Sequence, residues 1–183
     1  MKTLALGNAS MSHPLIGKLE RHGPLSDEEK QVLREISSRT VVFGPREDIV
    51  PEGSTPDYSS LIVSGFATRH KHLLDGKRQI TAFHIPGDFA DLHSFLLKRI
   101  DDGVGALTAC TVAKVAHSDL KEVTKKYPYL TRVLWQTTLI DAAVHRIWMT
   151  TLGQMEARER LMHLFLRDAG PLEHCGPDEG RQL

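Results

Sequence analysis

Two histidines one residue apart, in His70-Lys71-His72, have the spacing of metal ligands. Residues i and i+2 of an extended strand share a face, so both imidazoles would project the same way, and His93 downstream could complete a three-nitrogen set. No glutamate follows the pair, and Asp75 falls in a turn. The reading adopted is a solvated His-Lys-His on an outward face, with no metal site. Cys110 and Cys175 are the only cysteines. An iron–sulfur cluster held within one subunit needs four thiolates, so it is excluded. Two distant cysteines also give no disulfide framework and no zinc spacing. Cys110 lies in an apolar run and is expected to be buried. Cys175 lies among Glu173, Asp178 and Glu179, which do not favour its thiolate. No nucleophile elbow, phosphate-cradling glycine loop or metalloprotease helix occurs, so the chain is not expected to be an enzyme. The remaining chemical punctuation is Pro86-Gly87-Asp88, where proline fixes φ and glycine frees it, making a sharp turn.

The elements that hold these groups follow from periodicity. Ser26 and Glu29 make a capping box ahead of Val32, Leu33 and Ile36, predicting a helix over residues 26–37, with a short helix around Pro14 beside it. Runs over 40–43, 60–63, 66–73, 79–84 and 107–115 are rich in Val, Ile, Thr and Phe and are separated by Gly, Pro and Asp. That pattern predicts short strands in a β-roll. Leu74-Asp75-Gly76-Lys77 reads as a hairpin in which Asp-Gly supplies positive φ. Ser118 is placed as the cap of a helix from Asp119 to about Tyr127, and a longer helix follows from Tyr129. On it Val133, Ile140, Val144, Ile147 and Thr151 form a heptad-like seam. A helix over 129–152 would be ~36 Å long, more than one small roll can cover, so the seam is expected to pair with a second copy. Gly153 interrupts the pattern and is read as a hinge.

The 183 residues divide on this reading into an N-terminal helical segment (1–38), a β-roll (39–117), helices including the dimerisation helix (118–169) and a linker-like tail (170–183). The fold class is mainly β with flanking α, a jelly-roll-like β-roll followed by a long helix. Lys+Arg and Asp+Glu number 23 each, without the basic excess of a domain that grips phosphates. The N-terminal apolar run is too short for a signal peptide, and no stretch approaches a membrane span, so the expected place is the cytoplasm.

The order of parts resembles the sensor half of the CRP/FNR family of transcription regulators. The resemblance rests on Pro86-Gly87-Asp88-Phe89-Ala90-Asp91-Leu92, on the strand around Leu107-Thr108-Ala109-Cys110-Thr111-Val112, and on the stretch from Trp135 to Leu161. It implies an effector pocket built from Gly87, Asp88, Phe89, Asp91 and Leu92, with His145 and Arg146 reaching it from the dimer helix. In cAMP-binding members an arginine followed by serine or threonine neutralises the cyclic phosphate. Those two positions hold Ile100 and Asp101 here. A buried phosphate without a cation costs several kcal/mol, so cAMP is not the expected ligand. The resemblance implies a homodimer that meets DNA only through a C-terminal winged helix-turn-helix, which this sequence does not include. The effector is unnamed, and no cofactor is expected. Two rival readings are a cupin-like metalloenzyme using His70, His72 and His93, and a dimerisation module that senses nothing.

Overall fold

Ser26 caps its helix as the spacing predicts. Its Oγ accepts the Glu29 amide at 3.2 Å, and Glu29 Oε2 accepts the Ser26 amide at 2.9 Å. Helix α2 (Asp27–Ile36) follows, after α1 (Pro14–Leu19) and a 3-10 turn at Glu20–His22. The structure, a computed structural model, describes residues 13–154. The expected tail with Cys175 and the far end of the 118–169 segment lie outside the described residues.

Seven strands follow: β1 (Thr40–Phe43), β2 (Asp48–Val50), β3 (Tyr58–Ser64), β4 (Ala67–His72), β5 (Arg78–His84), β6 (Gly103–Ala106) and β7 (Cys110–Ala116). They make two antiparallel sheets, ordered β1-β7-β3 and β2-β6-β4-β5. This is the jelly-roll-like roll, with α3 (Ser94–Leu97) inside the long β5–β6 connection and α4 (His117–Lys126) and α5 (Pro128–Gln154) after it. The chain divides into two units, residues 1–142 and 143–183, the division falling within α5.

Successive strand residues face opposite ways, and β3 and β7 use both faces. Leu61, Ala113 and Val115 join Leu15, Leu19, Leu33, Leu120 and Leu130 in a core beneath the helices. Their neighbours Ile62 and Val112 join Val50, Ile100 and Val104 in a second core inside the roll. Ala67 and Cys110 belong to that inner core, so Cys110 is the buried small residue expected.

Several boundaries differ from the sequence reading. The last strand begins at Cys110 rather than Leu107, because the Leu107 and Thr108 amides turn to the Phe66 carbonyl instead of a ladder partner. In the β4–β5 hairpin only Gly76 takes positive φ; Asp75 does not. Helix α4 starts at His117 with Ala116 as its cap, and Ser118 lies inside it, its hydroxyl turned to Asp119. Strands β2 and β6 are three and four residues long, and β6 is Gly103-Val104-Gly105-Ala106. Glycine every second residue has poor strand propensity, which hid it. Gly153 does not end α5, which runs to Gln154. Among the described residues no helix is long and apolar enough to cross a membrane.

Candidate functional site

The turn after β5 is built for contact with the helices. Gly87 sits at φ +94°, and a Cβ there would lie 2.7 Å from the Pro14 carbonyl oxygen of α1. Its amide donates to Ile62 at 2.8 Å, and the Ile62 amide donates back to Asp88 at 2.9 Å, so the turn extends the edge of β3. Asp88 pairs with Lys18 of α1, and its other oxygen accepts the Ile85 amide at 3.2 Å. Phe89 and Leu92 pack against the helix-side core. Four of the residues expected to line a pocket, Gly87, Asp88, Phe89 and Leu92, therefore join the roll to its helices. A sharp turn that must meet α1 explains their types without a ligand.

Asp91 differs. It is fully buried, with Oδ1 accepting the Ser60 amide at 2.5 Å. Burial pushes its carboxyl up to about 6, against the Ser60 hydrogen bonds and the charge of Arg69, which lower it.

Arg69 is the centre of the roll's charge. It pairs with Val104 across the β4–β6 ladder and follows Ala67 on the same face, so it points inward. Only 5% of it is exposed. Its Nη2 donates to Asp141 Oδ2 on α5 at 2.7 Å, and its Nε lies 3.6 Å from Asp102 Oδ2. Burial, together with the neighbouring Asp101 carboxyl, pushes Asp102 up to about 6. Asp101 is exposed and meets Lys71, which also reaches Glu52 at 3.4 Å. Ile100, beside it, is 1% exposed in the inner core. The two positions where a phosphate-binding pair was sought thus carry a core side chain and an acid. Sequence reasoning missed Arg69 because the alternation shows which residues share a face, not which face turns inward.

His70 overturns the solvated reading of His70-Lys71-His72. It is 1% exposed. Gly103 and Gly105 on β6 leave a hollow for the ring; a Cβ on Gly103 would lie 2.8 Å from His70 Nε2. Neither ring nitrogen has a hydrogen-bond partner among the described residues. Burial, and then the Arg78 charge, hold its pKa below the ordinary histidine value, while Asp48 and Glu52 pull the other way. His72 is exposed, and its ring and amide bond Glu52 at 2.8 and 3.0 Å, holding that carboxyl down at about 2. Because the His70 proton binds the unfolded chain more tightly, stability is full above the ordinary value near 6.5 and falls as pH drops through it. Denaturation midpoints at pH 7.5 and about 5.5 test this. His70→Leu should lose less stability on acidification than the wild type; an identical loss would show that His70 does not contribute.

His70, His72 and His93 do not form a ligand cluster. The set with ligating atoms within 4.8 Å of one another is His93, Asp101 and Asp102. Val133, expected in a dimer seam, is 3% exposed in the protomer's own core, so it has no surface left to offer. The helix period explains this, since Val133 shares a face with Leu130 and Leu134, which pack on the roll. Ile140 and Val144 are half-buried and Ile147 is exposed, while the side chain of Thr151 lies outside the described ones. His145 and Arg146 lie in the second unit.

Residues 40–127 match the family model for the cyclic nucleotide-binding domain. The transcriptional activator protein FnrL of Cereibacter sphaeroides is 27% identical over 118 residues, 64% of this chain and 47% of the relative. The nitrogen fixation regulation protein FixK of Bradyrhizobium diazoefficiens is 29% identical over 141 residues, 73% of this chain and 56% of the relative. This chain carries a cyclic nucleotide-binding domain with CRP/FNR-family relatives. It spans about half the length of the curated relatives it matches. Among solved structures, the domain is similar to FixK2 from Bradyrhizobium japonicum, with TM-score 0.64 and 28% identity over 69% of this chain and 63% of that one. The relatives are regulators rather than enzymes, and they do not favour the cupin reading.

Proposed function

We propose that this chain is the effector-sensing and dimerisation part of a CRP/FNR-like transcription regulator, working in the cytoplasm, and that it does not bind cAMP. The observation that carries the proposal is the state of Arg69. The buried cation of the roll is held by Asp102 and Asp141, and Ile100 and Asp101 stand where a phosphate-binding pair would be. A cyclic phosphate entering here would meet Asp91, Asp101, Asp102 and Asp141 and would have to strip carboxylates from Arg69. An effector would act on the Arg69–Asp141 contact, which joins the roll interior to α5. DNA would be read by a helix-turn-helix domain of the full regulator, since equal numbers of basic and acidic residues give this part no phosphate grip.

The homodimer would form along α5 on the face of Ile140, Val144 and Ile147, of which Ile147 is exposed and the other two half-buried. Light scattering should give twice the chain mass. Val144→Asp or Ile147→Asp would bury an unpaired carboxylate and weaken association about 100-fold or more. A variant that keeps the dimer mass unchanged would remove that seam. Calorimetry with millimolar cAMP should show no binding; saturable heat would contradict the reading of Arg69.

A further inference from the structure

We propose that His93, Asp101 and Asp102 form a binding site for one first-row divalent metal ion, such as Mn2+ or Zn2+. The three side chains come from the β5–β6 connection, His93 at its middle just before α3 and the aspartates at its end just before β6. One ligating atom from each lies within 4.8 Å of the others, close enough for a single ion to touch all three. One imidazole and two carboxylates suit Mn2+, Fe2+ or Zn2+ better than Ca2+, which takes an all-oxygen shell.

The surrounding charges favour a cation. Arg69 and Lys71 form ion pairs with this group, and between them they face four carboxylates, those of Glu52, Asp101, Asp102 and Asp141. Asp101 and Asp102 are adjacent like charges, and Asp102 is half-buried beside Arg69. A divalent ion would relieve that repulsion without a proton. Asp102 is also the link to the rest of the domain, because Arg69, its partner, holds Asp141 on α5. Metal at Asp102 draws that carboxylate from Arg69 and leaves the arginine to Asp141. The site itself stands on these residues alone; its use as the sensed signal rests on the regulator reading.

Titration calorimetry of MnCl2, ZnCl2 and CaCl2 into the full chain, freed of metal by a chelator, tests the site. The expected result is one Mn2+ or Zn2+ per chain, with Ca2+ bound at least about 10-fold more weakly. Asp101→Asn, an exposed change that leaves Arg69 untouched, should weaken binding about 10-fold or more, as should His93→Ala. His72→Ala should leave it unchanged. Absence of Mn2+ and Zn2+ binding, Ca2+ binding as tight as theirs, or unchanged affinity in Asp101→Asn would each overturn the site. The dimer measurement is separate: a dimer that binds no metal rejects only the metal site, and a monomer that binds it rejects only the seam.

Discussion

Arg69→Ala is expected to cost about 3–5 kcal/mol of folding stability, because it removes a buried cation that pairs with the half-buried Asp102 and with Asp141. Asp102 and Asp141 would lose the cation that holds them both, and the buried Asp91 would lose the charge that lowers its carboxyl. The transition midpoint in urea, with its slope, is the measurement. The same substitution in an Asp102→Asn, Asp141→Asn background should cost far less, since neutral amides do not repel one another. An equal cost in both backgrounds would mean that Arg69 acts through packing of its stem and not through charge.

Gly87→Ala is expected to cost about 2–4 kcal/mol. The position combines a left-handed backbone with a backbone obstacle, and neither can be relieved by turning a side chain. The Pro14 carbonyl oxygen at 2.7 Å must retreat, taking α1 and the Lys18–Asp88 pair with it. The loss should therefore come with weaker protection of the α1 amides in hydrogen exchange. A stable Gly87→Ala protein with α1 still protected would show that the turn can dock in another way.

What could be read from the sequence, and what could not, follows from the range of the interactions involved. The Ser26 and Glu29 cap spans three residues, and it was legible because both partners lie within one turn of helix. The strands of the roll announced themselves through β-branched residues, except the three-residue β2 and also β6, whose two glycines are there to make room for a ring on β4. That reason lies 33 residues upstream, at His70, so no local pattern could show it. The turn residues Gly87 and Asp88 were found correctly as special, but their partners, Pro14 and Lys18, belong to an N-terminal helix about 70 residues earlier in the chain. The charge centre was the hardest to see. Arg69, Asp102 and Asp141 come from β4, the loop before β6 and α5, and only the folded sheet order brings them together. Val133 was assigned to the wrong partner for a similar reason, since a heptad does not say whether the roll or a second copy covers it.

Strands β3 and β7 send alternate side chains into both cores, and this governs how the domain comes apart. The sheet β1-β7-β3 is a common wall. The helices cannot melt away while the roll remains intact, because stripping them bares the backs of Leu61 and Val115 and loosens the strands that carry Ile62 and Val112. A slip of one residue along β3 would exchange the occupants of the two cores at once, so the register of this strand is held from both sides. Residues 13–142 are in that sense a single cooperative element, and strain at the helical face is felt inside the roll through the same two strands.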